Sequence, residues 1–252
     1  MSKVFELAII NRYAVYFTTS DHQFGFKKNL GCRHAIYCVR NVIESFVNNG
    51  STVNICALDL SKAFDRMNHY ALFLKLMDRN VPINLLSIFE VWFAISKTCV
   101  KWNNYVSAFF NLAAGVRQGG VLSPTLFAIF INDIVDKVQS ANVGCYISTI
   151  CASIFLYADD ILLIAPTVTG LQTLLHVCEN ELIIIDMQLN VNKSMCMRFG
   201  PRFDCEVVEL ISLSGSVLKW VDSCRYLGVF FVSGRSFKCS MSNAKSRFFS
   251  SI

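Results

Sequence analysis

Short runs of consecutive apolar residues alternate along the chain with longer stretches in which apolar residues recur every three or four positions. Residues 52–60 are β-branched at their start and apolar on both faces, which predicts a buried central strand. Residues 153–158 and 161–165 are two further apolar runs, and the two aspartates between them predict the turn of a β-hairpin. Residues 194–199 are the candidate for a fourth strand.

Helical spacing dominates between these strands. The predicted helices cover residues 63–79, 83–95, 123–138 and 168–187. Asn80 and Pro82 end the first of them, and Ser123 followed by Pro124 gives the third a capping hydroxyl and a proline at its first position. A hairpin-like pair surrounds Asn103 and Asn104, residues 1–50 are expected to be largely helical with a polar loop, and residues 207–232 are expected to form short strands.

Without the extra helix and hairpin inserted after the first crossover, the element order is β-α-α-β-β-α-β. This is the order of a split βαβ, ferredoxin-like sheet, so we predict an α+β fold with packed helices on an antiparallel sheet. In that topology the third strand lies between the first two. The turn of the hairpin then lies at the sheet edge where the first strand ends, and Asp59, Asp159 and Asp160 are expected to meet there.

Three carboxylates at one sheet edge repel each other unless cations neutralise them. Hard oxygen ligands suit Mg²⁺, and two such ions can activate a hydroxyl and stabilise a leaving pyrophosphate. The pattern therefore predicts nucleotidyl transfer. The simpler alternatives are that Asp159-Asp160 is only a turn and that Asp59 only caps the next helix.

Composition narrows the class of protein. The 252 residues are 54% hydrophobic and 16% charged with a net charge of +5, which excludes a disordered chain and permits a nucleic-acid partner without requiring one. The most apolar stretch, residues 143–166, contains Asp159 and Asp160, so no membrane segment or signal peptide is expected. The eleven scattered cysteines are interpreted as small apolar residues in a reducing compartment, and an intracellular location in nucleus or cytoplasm is expected.

Several blocks together resemble the reverse transcriptase of non-LTR (LINE-like) retrotransposons, and the resemblance spans residues 3–232. Residues 23–26 (QFGF) resemble a segment that precedes these blocks in the family. The five blocks, in chain order, are residues 57–65 (ALDLSKAFD), 115–127 (GVRQGGVLSPTLF), 155–160 (FLYADD), 189–194 (LNVNKS) and 225–229 (RYLGV). The resemblance implies a polymerase palm with partial fingers and a thumb that is largely missing. It implies the domains 1–50 (partial fingers), 51–200 (palm) and 201–252 (end of palm, primer-grip strands and truncated start of the thumb).

The resemblance also implies roles for individual residues. Asp59, Asp159 and Asp160, with the backbone carbonyl of Leu60, would hold two Mg²⁺ ions, for which Mn²⁺ is a possible substitute. Phe64 would exclude the 2′-hydroxyl of the incoming sugar, and its alternative is an ordinary core phenylalanine.

The remaining implied roles concern substrates. The nucleotide pocket would contain Gln118, Gly119 and Lys193; the primer grip would be Tyr226, Leu227 and Gly228; the template contacts would be Lys27, Lys28, Arg33 and Arg117. Each has a plainer alternative, such as a loop glycine, a strand end or a solvated cation.

The leading interpretation is an RNA-directed DNA polymerase domain that extends a DNA primer on an RNA template with deoxynucleoside triphosphates. One alternative is an inactive truncated remnant that acts at most as a nucleic-acid-binding module. Another is a viral RNA-dependent RNA polymerase. Phe64 and the sequence Tyr157-Ala-Asp-Asp make this alternative less favourable. The sequence leaves the oligomeric state open.

Overall fold

The computed structural model describes residues 3–117 and 119–240. Its helices are α1 (Lys3–Arg12), a 3₁₀ turn (Ala14–Phe17), α2 (Cys32–Asn48), α3 (Ala63–Arg66), α4 (His69–Asp78), α5 (Ile83–Ala94), α6 (Ser123–Ser140) and α7 (Val168–Ile184). Its strands are β1 (Val53–Leu58), β2 (Lys97–Thr98), β3 (Lys101–Trp102), β4 (Tyr105–Val106), β5 (Phe110–Asn111), β6 (Tyr146–Ile147), β7 (Ile150–Cys151), β8 (Ile154–Tyr157), β9 (Asp160–Ala165), β10 (Met195–Phe199), β11 (Leu210–Ile211), β12 (Val217–Trp220), β13 (Ser223–Tyr226), β14 (Val229–Val232) and β15 (Lys238–Ser240).

The main sheet has the strand order β11-β12-β10-β1-β9-β8. Strand β9 lies between β1 and β8 and is antiparallel to both, and β10 is antiparallel to β1 on its other side. The four strands β10-β1-β9-β8 are therefore the predicted split βαβ sheet, and the α+β fold class is confirmed. The pairing of β10 with β12 is parallel and widens the sheet.

Backbone contacts divide the chain into two units. One consists of Met1–Thr19, Lys62–Ile131 and Ile185–Met187, and the other of Ser20–Ser61, Asn132–Ile184 and Gln188–Ile252. The second unit contains the whole main sheet and the small sheet β13-β14-β15. The final part of the third predicted domain, residues 241–252, lies outside the described residues.

Strand β1 is buried on both faces because helices cover both sides of the sheet. Ile55 on one face packs in a core cluster that includes Val39 and Ile43 of α2. Cys56 on the opposite face lies near Cys178 of α7, and α7 contacts both β1 and β9. An apolar strand with no polar alternation is what a sheet covered on both sides requires.

The helix predicted over residues 63–79 is interrupted, which corrects that prediction. Helix α3 ends at Arg66 and α4 begins at His69. Asn68 caps α4, since its side-chain oxygen accepts a hydrogen bond from the Ala71 N–H at 3.2 Å. The capping asparagine sits within the apolar periodicity, which does not reveal such a break.

Two further boundaries differ from prediction. The β8–β9 hairpin pairs Tyr157 with Asp160, so its two turn residues are Ala158 and Asp159, and Asp160 is the first residue of β9. Ala158 takes a positive φ of 57° to make this turn. Helix α7 ends at Ile184 instead of residue 187, and Asp186, with φ 58°, adopts the left-handed conformation that stops a helix.

The predicted hairpin around Asn103 and Asn104 is present as β3 and β4, with Trp102 opposite Tyr105. Within the described ranges, none of the helices has the length and apolar character needed to cross a membrane.

Candidate active site

An acidic edge forms in the second unit where β1 ends. Asp59 follows β1 directly, and the last β1 residue, Leu58, pairs with Ile161 of β9. Asp160 precedes Ile161, and Asp159 lies in the adjoining hairpin turn. The structure thus places Asp59, Asp159 and Asp160 at one edge of the sheet, which is the juxtaposition that the topology predicted.

The backbone of Asp59 is fixed on both sides by the segment that leads into β10. Its N–H donates to the Ser194 hydroxyl at 3.1 Å, and its carbonyl accepts the Asn190 N–H at 2.8 Å. The Ser194 hydroxyl in turn donates to the Asn190 carbonyl at 2.9 Å. Sequence reasoning assigned no role to Ser194 or Asn190, although both lie within the fourth family-like block.

Lys193 belongs to the same segment. Its Nζ lies 4.0 Å from a carboxylate oxygen of Asp59, and both side chains are partly exposed. The contact therefore contributes little to stability, since solvent screens it. It does place a cation beside the acidic edge, where the sequence predicted one.

The next residue, Leu60, forms an isolated bridge with Leu189. The hydrogen bonds flanking this bridge run from Asn190 to Asp59 and from Ser61 to Gln188. Leu60 is thus in the non-hydrogen-bonded position, in which its own N–H and carbonyl point away from Leu189.

Asp160 has a perturbed acidity. Its pKa is raised to about 6, first by burial, then by the negative charges of Asp159 and Asp59, while the guanidinium of Arg225 acts in the opposite direction. The carboxylate is therefore more costly to ionise than an ordinary aspartate. Arg225, in the fifth family-like block, received no role from the sequence, and its effect on Asp160 identifies it as part of this site.

The donor set at the acidic edge fits a hard divalent cation, because its oxygens come from three carboxylates that disfavour one another's charge. The carboxylates are, however, not gathered into a closed metal-binding cluster. Across residues 3–117 and 119–240, no group of three or more histidine, cysteine, aspartate or glutamate side chains is gathered closely enough to hold a metal ion. The edge therefore carries suitable ligands in an open arrangement.

The polar segment ahead of α2 packs against the acidic hairpin. The Phe24 N–H donates to the Leu156 carbonyl and the Leu156 N–H to the His22 carbonyl, both at 2.8 Å, so this segment extends the sheet alongside β8. A Cβ on Gly25 would lie 2.3 Å from the Ala158 backbone nitrogen. Only glycine permits this approach, which explains the glycine of the QFGF segment.

The predicted primer-grip residues form the tip of the β13–β14 hairpin. Leu227 and Gly228 are the two turn residues, with φ 46° and 85°, and Tyr226 is opposite Val229. Tyr226 is buried, and its hydroxyl has no hydrogen-bond partner among the described residues. Burial raises the pKa of Tyr226, and the nearby charge of Asp160 raises it further, so this hairpin lies close to the acidic edge.

In the first unit, Phe64 stacks on Phe127 with ring centroids 4.3 Å apart. The Phe64 side chain is half-buried, whereas Phe127 is fully buried. A Cβ on Gly115 would meet the Phe64 and Asp65 carbonyls at 2.8 and 2.7 Å, so the backbone at Gly115 lies against the turn that holds Phe64.

The glycine loop, residues 117–122, follows this segment and is described except for residue 118. Gly119 has φ +86°, a conformation that glycine adopts without strain, and Gly120 donates to the Arg117 carbonyl at 3.2 Å. Gln118, predicted for the nucleotide pocket, lies outside the described residues. Sequence reasoning missed Glu6, whose buried carboxylate accepts hydrogen bonds from the Val121 and Leu122 N–H groups just before α6.

The four predicted template cations differ in their surroundings. Lys27 Nζ donates to the Ser20 carbonyl at 2.6 Å and lies 3.7 Å from Asp21. Lys28, Arg33 and Arg117 are exposed. Lys27 is thus engaged within the protein, and the other three present their charges to solvent.

Comparison with known proteins agrees with this geometry. The family described as "Reverse transcriptase (RNA-dependent DNA polymerase)" matches residues 1–231. The "Retrovirus-related Pol polyprotein from type-2 retrotransposable element R2DM" of Drosophila melanogaster is 29% identical over 227 residues, which cover 86% of this chain and 21% of that protein. The "RNA-directed DNA polymerase from mobile element jockey" of Drosophila funebris is 27% identical over 249 residues, which cover 94% and 26%.

The chain thus spans about a fifth to a quarter of the length of these curated relatives. Among solved structures, apo telomerase from Candida tropicalis superposes with a TM-score of 0.59 at 13% identity, over 95% of this chain and 40% of that one. This likeness concerns the fold, which is palm-like. The match of the family over residues 1–231 shows that the chain belongs to the reverse transcriptase family.

Proposed function

We propose that this domain catalyses RNA-directed DNA synthesis, the template-directed addition of deoxynucleotides to a DNA 3′ end. The single observation that supports it most is the acidic edge, where Asp59 follows β1, Asp159 lies in the hairpin turn and Asp160 begins β9, and where the charges of Asp159 and Asp59 raise the pKa of Asp160. Such an arrangement is costly for the folded protein and useful for cation-assisted phosphoryl chemistry. The names of the relatives from retrotransposable elements support the same activity.

Reverse transcriptases generally use divalent metals. Asp59, Asp159 and Asp160 would hold two Mg²⁺ ions, or Mn²⁺ in their place. The Leu60 carbonyl is oriented away from its bridge partner and would be a further oxygen ligand. Such ions would neutralise charge on the triphosphate and favour deprotonation of the primer 3′-hydroxyl. The protein's own contribution is to hold Asp59 rigidly, through the Ser194 and Asn190 hydrogen bonds, so that little reorganisation is needed.

Further residues would orient the substrates. Lys193, beside Asp59, is positioned to offset the charge of the triphosphate or to supply a proton to the leaving pyrophosphate. Phe64 would exclude the 2′-hydroxyl of a ribonucleotide, and the loop containing Gln118 and Gly119 would complete the nucleotide pocket. The β13–β14 tip, Tyr226 to Gly228, would support the primer strand.

The nucleic-acid partner would be an RNA template paired with a DNA primer. Lys28, Arg33 and Arg117 are the exposed cations that would contact phosphates, which gives affinity without base specificity. Telomerase structures described with a fragment of telomeric RNA share the palm-like fold, which is consistent with an RNA-binding role here.

The test is primer extension on an RNA template with Mg²⁺ and deoxynucleotides. We expect Asp159→Asn to abolish extension while the protein still binds the RNA–DNA hybrid, because the change removes one ligand charge and keeps the side-chain volume. Asp204→Asn, the same change at an exposed position, is the matched control and should extend normally. Undiminished synthesis by Asp159→Asn would refute the assignment. Hybrid binding without Mg²⁺-dependent incorporation by the unchanged protein would favour the alternative of a nucleic-acid-binding module.

A further inference from the structure

Helix α1 carries a buried carboxylate with no role in the chemistry described so far. Glu6 is 4% exposed and accepts the Leu122 N–H at 2.9 Å and the Val121 N–H through the same oxygen, Oε2. A carboxylate that has lost its water is costly unless hydrogen bonds replace it. The two backbone N–H groups replace the hydrogen bonds that the Glu6 carboxylate would otherwise form with water.

The two amides belong to the last two residues of the glycine loop, directly before α6 (Ser123–Ser140). The N–H groups ahead of a helix have no partner within it, and the negative charge of Glu6 near this end is favoured by the helix dipole. Glu6 thus holds the backbone directly ahead of α6, although 115 residues separate it in sequence from Val121.

Further contacts at Gly120 restrict the backbone of the glycine loop beside Glu6. Gly120 donates to the Arg117 carbonyl, and a Cβ on Gly120 would lie 3.3 Å from Glu6 Oε2 and 2.7 Å from the Ser123 hydroxyl. The loop is therefore closed on one side by Arg117 and on the other by Glu6. Gly119 and Gly120 directly precede Val121 and Leu122 in the chain, so the contact of Glu6 with the two amides restrains the end of the loop.

We propose that Glu6 is a positioning residue that sets residues 119–122, the end of the glycine loop that leads into α6, for binding of the incoming nucleoside triphosphate. This inference rests on the proposed function, in which that loop lines the nucleotide pocket. Glu6 does not touch the substrate in this scheme. It acts through the backbone of Val121 and Leu122.

The experiment compares Glu6→Ala and Glu6→Gln with Glu90→Ala, an exposed helical glutamate of the same unit. Two quantities are measured: hydrogen exchange at the Val121 and Leu122 amides, and the Kd for Mg·dATP in the presence of an RNA–DNA hybrid. For Glu6→Ala we expect the hydrogen-exchange rates of both amides to rise about tenfold. The Kd for Mg·dATP should rise by a similar factor, as removal of a hydrogen bond to a charged group implies. The affinity for the hybrid itself should stay within about twofold of its starting value on the same scale.

Glu6→Gln separates positioning from a general loss of stability. Its carbonyl oxygen can still accept both amides, so exchange and Kd should remain within about threefold of the unchanged protein. Glu90→Ala should alter neither quantity. If Glu6→Ala fails to fold, Glu6→Asp replaces it, because the shorter side chain withdraws the carboxylate from the Val121 and Leu122 amides and keeps its charge.

Two results would overturn the proposal: unchanged exchange at Val121 and Leu122 in Glu6→Ala, or faster exchange with an unchanged Kd for Mg·dATP. A Glu6→Gln variant as impaired as Glu6→Ala would also contradict it. The outcome is separable from that of the proposed function, because Asp159→Asn tests synthesis without disturbing α1. Extension that depends on Asp159 but not on Glu6 would leave the polymerase assignment intact and remove only this inference.

Discussion

At the scale of single residues, Phe64 is either a residue that excludes the 2′-hydroxyl of the incoming sugar or an ordinary packing residue, and one substitution distinguishes the two. It stacks on buried Phe127, yet its own side chain is only half-buried, so part of the ring remains accessible to a substrate. We expect Phe64→Val to lower the preference for deoxynucleotides over ribonucleotides by about 10- to 100-fold, the usual effect of reshaping a pocket by a few carbon atoms. The measurement is single-nucleotide incorporation with dATP against ATP.

Phe64→Tyr is the control for this experiment, since it keeps the ring and should keep the preference. Removing the stack in Phe64→Val also costs about 1 kcal/mol of stability. A lower melting temperature with an unchanged sugar preference would identify Phe64 as a packing residue only.

Glu179, on the helix that covers the sheet, predicts a pH dependence of stability. It is 6% exposed, and burial raises its pKa, while the hydrogen bond from the Leu213 N–H and the charge of His176 lower it by smaller amounts. An acid whose folded pKa lies above its unfolded value, about 4.3, favours folding below that value and loses this contribution as pH rises through the folded pKa.

Glu179→Gln removes the buried charge and keeps an oxygen that can accept the Leu213 N–H. The variant and the unchanged protein should therefore be similar near pH 4, and the variant should become progressively more stable towards pH 7. Denaturant unfolding at several pH values measures this difference. Glu206→Gln, at an exposed position, should show no such trend, and a variant that loses stability at pH 7 would contradict the argument.

At the scale of elements, the β8–β9 hairpin depends on its neighbour Gly25. A methyl group on this residue would lie 2.3 Å from the Ala158 nitrogen, within the turn that carries Asp159. We expect Gly25→Ala to destabilise the protein by about 1–3 kcal/mol, as overpacking generally does, and to reduce extension by displacing the turn. Gly234→Ala is the control, because its added carbon meets its nearest neighbour at 3.6 Å and its φ is not positive. Equal melting temperatures for the two variants would disprove this role of Gly25.

The order of the four strands β10-β1-β9-β8 was predictable because it follows from apolar runs and from the handedness of crossovers, both of which are local or generic properties. The same reasoning brought Asp59 to the hairpin across 100 residues. It misplaced the turn by one residue, since Ala158 has no turn propensity and adopts its positive φ only in the folded context. It also missed the break at Asn68, because a capping residue and an interior polar residue look alike in a periodic pattern.

Contacts between distant segments were the part that the sequence did not reveal. Glu6 looks like any glutamate in the first turn of a helix, and only the fold shows that its carboxylate meets the Val121 and Leu122 amides. Ser194 and Asn190 hold Asp59 through its backbone, an interaction that leaves no trace in residue type. Arg225 acts on Asp160 only because the β13–β14 hairpin approaches the acidic edge.

At the scale of the whole molecule, the net charge of +5 predicts how the protein binds nucleic acid. Affinity for an RNA–DNA hybrid should fall with salt and be indifferent to base sequence, because cations displaced from phosphates dominate such binding. The slope of log K against log salt measures the number of phosphates that the protein neutralises. Removing one phosphate-binding side chain should reduce the magnitude of this slope by about 0.7–0.9.

Two adjacent lysines make this prediction specific. Lys28 is exposed, so Lys28→Gln should weaken binding to all sequences equally and reduce the salt slope by the equivalent of about one phosphate. Lys27 is engaged with Ser20 and Asp21, so Lys27→Gln should leave the slope nearly unchanged and instead lower the melting temperature. Fluorescence anisotropy over a salt series measures both variants. If the two lysines affect the slope equally, the internal contacts of Lys27 do not withhold its charge from the template, and the assignment of phosphate contacts by exposure is wrong.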